Sequence, residues 1–340
     1  ESTAEEVVDD PVGMFFDKLQ EMIGMEVGAV TIGETTYSKA IIQPTIPLGK
    51  LTLGLYLPIV YQGEIFELDN WYMPRGNNEW SFGTDQDWSG DPLTSAKDVL
   101  NDLLLKIRFI SYGNKRDPLF FNVGNMEGIT LGHGLIMKNY TNNSDFPVVR
   151  RVGVDAGLNF NFGGLEVIAN DLIVREIFGG RVYIRPFGDA FPLSLGVSGI
   201  ADINPRSVDE AETGDDPNPI IVNGGVDLDY PIIASDAVNL LAYADVAAMV
   251  PYFQESTTIG TTPDTRTVDQ GFQIDTVLTD ENELKNFGAA AGVMGNIAAY
   301  NWRLEARFYN GTFRPAYFDK TYDRMRYTYV DDLLDYMLNP

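Results

Sequence analysis

Three aspartates stand close together in Asp85–Gln86–Asp87–Trp88–Ser89–Gly90–Asp91. Carboxylate oxygens at alternate positions, followed by a glycine, open a calcium-binding loop. Asp85, Asp87 and Asp91 are therefore the candidate metal ligands, and calcium is the ion such oxygen donors select. The position where a bidentate glutamate would complete the shell is Ala96, and Asp98 could substitute only in a different geometry. The competing reading is an acidic turn that caps a helix predicted over Ser95–Leu105.

His133, the one histidine, lies between Gly132 and Gly134 and shares parity with Leu131 and Leu135. That setting predicts a packed histidine. A catalytic histidine would need a serine and a carboxylate converging on it, and neither Ser111 nor Ser144 sits in a nucleophile elbow. The chain has no cysteine, which excludes disulfides, thiolate zinc sites and iron–sulfur clusters. No catalytic residue is assigned, no enzyme is expected, and calcium is the only candidate cofactor. A formal charge of -25 disfavours nucleic acid as a partner, since two polyanions repel.

A second group of charges is spread along the chain rather than clustered. Arg181, Arg185, Arg303 and Arg307 fall on the polar parity of alternating runs, as do Asp227, Asp229 and Glu305. The run from Val152 reads Val152, Val154, Ala156, Leu158, Phe160, Phe162 against Gly153, Asp155, Gly157, Asn159, Asn161. The run from Trp302 sets Trp302, Leu304, Ala306 and Phe308 against Asn301, Arg303, Glu305 and Arg307. A period of two means strands with one apolar and one polar face. Similar segments near 26–33, 37–48, 51–59, 104–112, 117–124, 128–138, 164–172, 180–187, 192–203, 222–230, 236–250 and 286–298 bring the expected total to roughly fourteen strands.

Gly128–Ile129–Thr130–Leu131–Gly132–His133–Gly134–Leu135–Ile136–Met137, Gly179–Gly180–Arg181–Val182–Tyr183–Ile184–Arg185–Pro186 and Leu304–Glu305–Ala306–Arg307–Phe308, with Pro315–Ala316–Tyr317–Phe318–Asp319 after it, resemble bacterial outer-membrane β-barrel proteins of an uncharacterised, porin-like kind. The resemblance implies an all-β, antiparallel transmembrane barrel in the bacterial outer membrane. It departs at the end of the chain, Tyr336–Met337–Leu338–Asn339–Pro340, where such barrels commonly finish on a strand with a terminal aromatic.

The expected organisation is a short helical segment over 1–24, periplasmic or plugging, and a barrel over 25–340. Long loops are expected near 62–100, 204–219 and 253–285. The helix signal is Asp10, Pro11 and Gly24 around Phe15, Leu19, Met22 and Ile23. No transmembrane helix is expected, and a signal peptide is expected to have been removed ahead of Glu1. The function expected first is a pore for small polar solutes or ions, with the charges named above setting the field of its lumen and lipid around its wall. One alternative is a scaffold whose loops bind a surface protein or a neighbouring copy of the chain. The other is a soluble, secreted β-sandwich that binds glycans through Trp71, Trp80 and Trp88.

Overall fold

The computed structural model describes residues 23–338 except 74–78, 116, 145, 147–148, 207–216, 236–237, 262, 279–282 and 298–299. The chain divides into two compact units, Glu1–Tyr112 and Gly113–Pro340.

In the first unit, β1 (Ile23–Ile32) and β2 (Thr35–Leu48) form a long antiparallel hairpin. The opposite side of β2 pairs with β3 (Leu51–Leu55) through Thr45–Leu48 and with β4 (Leu57–Tyr61) through Ser38–Ile42. One predicted strand over 51–59 is thus two, parted at the buried Tyr56. Helix α1 (Pro92–Leu105) precedes β5 (Ile107–Tyr112), which pairs with β3. Proline opens α1, and Asp91 accepts a hydrogen bond from the Thr94 amide at 3.0 Å, satisfying one of the unpaired N–H groups of the first turn.

The second unit is a sheet in which chain order is spatial order. It runs β6 (Leu119–Gly124), β7 (Gly153–Phe160), β8 (Gly163–Ala169), β9 (Ile177–Ile184), β10 (Ser194–Asp202), β11 (Ile220–Ala234), β12 (Val238–Phe253), then β16 (Phe287–Ile297) and β17 (Tyr300–Tyr309). Each of these pairings is antiparallel. Between β12 and β16 lie the hairpin of β13 (Thr257–Thr261) with β14 (Asp264–Val268) and the short β15 (Gly271–Phe272). Helix α2 (Tyr322–Leu338) follows the sheet.

Four expectations are corrected. The predicted strand over 128–138 is not one. Gly132 and Gly134 take left-handed φ values of +55° and +86°, which break a ladder that needs extended backbone. Segment 126–142 instead folds on itself through paired Ile129–Tyr140 backbone hydrogen bonds of 2.9 Å. The expected loop over 253–285 contains strands, and α2 was not anticipated. Gly24 stands inside β1 rather than at a helix end; the remainder of the predicted N-terminal helix, and the acidic run 209–216, lie outside the described residues. No helix among the described residues is long and apolar enough to cross a membrane.

The apolar core of the second unit sits against one end of one sheet face. Ile168, Ile177, Ile200, Ile221 and Met249 of the strand region form one buried cluster with Met126, Leu135 and Met137 of the folded segment and with Phe318, Tyr322 and Leu333. Backbone hydrogen bonds fasten the last two pieces together: Lys138 N–H donates to the Phe318 carbonyl (3.0 Å) and Phe318 N–H to the Ile136 carbonyl (3.1 Å).

Candidate functional site

Strand register decides which residues share a face. Leu119, Leu158, Leu165, Val182, Val197, Val226, Val246, Ala289 and Phe308 are direct cross-strand partners in sequence, one from each strand from β6 to β17 on the sheet's main path. All except Ala289 are exposed. A parallel row two residues along, Ile184, Leu195, Leu228, Ala244, Ala291 and Ala306, is also apolar. A soluble protein rarely exposes a contiguous apolar surface of this extent.

The opposite face carries the charges. Arg181 grips Asp227 with Nε and Nη2 and reaches Asp229 at 3.5 Å. Arg303 and Arg307 both pair with Glu305, and the Arg303 Nε donates to the Tyr243 hydroxyl at 2.7 Å. Tyr243 meets Glu305 across Gly292, whose missing side chain leaves the gap open. Arg185 stands apart, donating to Asn159 Oδ1 (3.3 Å) and the Phe160 carbonyl (2.7 Å). The predicted charges therefore share one face, as two networks and a separate arginine.

Sequence reasoning missed part of these networks. Lys115, from the turn before β6, pairs with Glu166 and lies 3.4 Å from Asp155. Asp245 is directly opposite Asp227 on the neighbouring strand, a like-charge pairing that is unfavourable without a cation between. The stretch Leu240–Ala248 is apolar at nearly every position of both parities, which hid Asp245. A lone carboxylate in so apolar a strand was the available signal, because a buried charge demands a partner.

That partner is His133. Its Nδ1 lies 2.6 Å from Asp245 and its Nε2 3.3 Å from Asp229, with the ring 4.7 Å from that of Tyr243. Glycine is required on both sides of His133 by the left-handed φ values of Gly132 and Gly134, which the turn that presents it adopts. Two carboxylates facing both ring nitrogens call for an imidazolium. Burial opposes the charge, but Asp229 and Asp245 overcome it and raise the histidine to about 9. The histidine is packed as the sequence predicts, with the addition that it is charged.

A pH dependence follows. The raised value means stabilisation fully present below the unfolded value near 6.5 and lost as pH rises through 9. That is on the order of 3 kcal/mol, or roughly 100-fold in local opening. Amide exchange of 129–137, corrected for intrinsic rates, should lose this protection between pH 6.5 and pH 9.5 in the native chain and not in His133→Gln. The same pH slope in both proteins would contradict the imidazolium.

Asp85, Asp87 and Asp91 are exposed. Asp87 accepts from the amides of Ser89 and Gly90, and Asp91 caps α1. These are the bonds of the acidic turn, and the three residues are not among the described groups whose oxygens converge. The groups that do converge, with ligand atoms within 4.8 Å, are Glu79, Asp98 and Asp102 in the first unit and His133, Asp227 and Asp245 in the second. At the latter, a divalent ion would have to displace a proton from His133 and Arg181 from Asp227. In the first unit Trp71, Trp80 and Trp88 each donate their indole N–H to a backbone carbonyl.

Beside the charged networks lies a cavity of about 770 Å³, bordered by Lys138, Arg185, Asp229, Asn239, Asn296 and Arg303, among others. Searches of protein-family models and of curated proteins returned no match to this chain.

Proposed function

We propose that this chain is an outer-membrane β-barrel protein whose apolar sheet face meets lipid and whose charged face lines a path for small polar solutes, with segment 126–142 folded against that face as a plug. The observation that carries this reading is the exposed apolar row running across consecutive strands. Transmembrane barrel strands alternate apolar-out and polar-in, and cross with about ten residues each. Strands β10, β11, β12, β16 and β17 have 9 to 16 residues. The arginines, aspartates and glutamate of the opposite face would then act on solutes in a confined, weakly screened space.

The proposed path for solutes calls on no reaction and leaves open the calcium expected at Asp85, Asp87 and Asp91. It is tested by extraction and conductance. The protein should require detergent for extraction and should conduct when reconstituted in planar bilayers. Replacing Arg303 and Arg307 by glutamine removes two cations and leaves Glu305, so the reversal potential in a salt gradient should move towards cation preference. Extraction into plain buffer would overturn the membrane reading. Absence of conductance in both proteins would overturn the pore and favour the scaffold, since segment 126–142 would then be a permanent filling.

A further inference from the structure

The cavity of about 770 Å³ is cationic in a chain whose formal charge is -25. Lys138, Arg185 and Arg303 border it. Among the described residues the Lys138 ammonium has no hydrogen-bond or ion-pair partner. Partial burial and the neighbouring Arg303 and Arg307 hold it below its ordinary value, with Glu305 acting the other way. Among the described residues Arg185 is held by neutral groups only, the Asn159 side chain, the Phe160 carbonyl and the Tyr183 ring at 5.1 Å. Arg303 and Arg307 share the single carboxylate of Glu305, so that trio keeps one net positive charge. Among the described residues one carboxylate borders the cavity, Asp229; it shares His133 and Arg181 with Asp245 and Asp227, so that group keeps one net negative charge against the three positive charges of Lys138, Arg185 and the Arg303–Arg307–Glu305 trio.

Next to these cations, β12, β16 and β17 place Asn239, Asn296 and Asn301 as consecutive cross-strand partners. An amide row of this kind offers donors and acceptors without charge. Leu241 and Met294, directly paired one row along, add an apolar strip before Arg303.

We propose that this cavity binds the oxyanion group of a small hydroxylated solute, with Lys138, Arg185 and Arg303 meeting the anion and the asparagine row meeting its hydroxyls. Collecting uncompensated cations costs free energy unless an anion answers them, and charge-assisted hydrogen bonds are the strong ones. The inference deepens the reading of this face as solute-lining by naming the solute class.

Isothermal titration of the purified full chain in an uncharged detergent tests it, with D-glucuronate, inorganic sulfate and D-glucose as probes. Glucuronate and sulfate should bind, and glucose at least about tenfold more weakly. Lys138→Gln should weaken glucuronate by about tenfold or more, while Lys138→Arg, which keeps the charge, should stay within about threefold. Should Lys138→Gln fail to fold, Arg185→Gln carries the same expectation. No binding of either anion, glucose binding as tightly as glucuronate, or native affinity in the folded glutamine variant would overturn the proposal. Because binding needs no passage, conductance of the same preparation separates the two ideas. A conducting protein that binds no anion overturns this inference alone, and one that binds anion without conducting overturns the pore alone.

Discussion

Val197→Arg should cost about 2–4 kcal/mol when the protein is folded into a lipid bilayer, and Leu228→Arg should cost a similar amount. Both positions lie on the apolar face, Val197 at 62% and Leu228 at 45% relative exposure. In a water-soluble protein an arginine at so exposed a site would change stability by no more than about 0.5 kcal/mol, because the guanidinium would remain hydrated. In lipid the same charge loses its water and must snorkel or thin the bilayer. The size of the effect therefore reports which solvent this face meets. Urea titration of refolded protein in vesicles gives the number. A change within about 0.5 kcal/mol at both positions would mean that the face is wet.

The second large effect is expected where α2 meets the sheet. Arg326, 2% exposed, donates to Glu176 at 2.8 Å and lies 3.4 Å from Asp202. Burial opposes the guanidinium charge, but Asp202 and Glu176 more than compensate and raise it above its ordinary value. Tyr322 of the same helix donates its hydroxyl to Asp202 at 2.9 Å. Arg326→Met would leave Glu176 and Asp202, themselves 7% and 0% exposed, without their cation. Removing one partner of a buried pair costs about 3–5 kcal/mol, because an uncompensated charge remains. Adding Asp202→Asn removes one of those charges and should recover part of the loss. The midpoint of urea unfolding measures both variants. A single variant as stable as the native chain would show that α2 is not anchored by this contact.

The sheet was legible because its period is simple. Wherever one face is apolar and exposed, as in Val154–Phe160 or Trp302–Phe308, alternation survives in the sequence and marks the strand. It failed where both sides of a segment are packed. Residues 128–138 alternate in apolarity, yet Leu131, Leu135 and Met137 are buried in a folded loop. Helix α2 was hidden for a related reason. Its buried stripe is Tyr322, Arg326, Val330, Leu333 and Met337, a helical spacing in which an arginine stands where a hydrophobe would be looked for. Only the sheet end that receives it makes that arginine a core residue.

The charged face was legible by parity, since Arg181, Asp227, Asp229, Arg303, Glu305 and Arg307 all fall on the polar positions of their strands. What parity cannot give is who pairs with whom across strands. His133 arrives from a loop, and Asp245 from a strand apolar on both sides. Their meeting depends on register and on two left-handed glycines, neither of which a single segment reveals. The calcium loop reads as a motif in sequence, and in the structure Asp87 and Asp91 bond to the turn and helix that follow them.

Because the chain has no cysteine, single cysteines can be placed along β10 at Leu195, Gly196, Val197 and Ser198 and spin-labelled in vesicles. Collisions with oxygen, which concentrates in lipid, and with a water-soluble nickel chelate then report the surroundings of each label. If the apolar face meets lipid, Leu195 and Val197 will be accessible to oxygen and shielded from the chelate, and Gly196 and Ser198 will not share that pattern. Chelate access at Leu195 and Val197, or no alternation along the strand, would contradict a lipid-facing sheet.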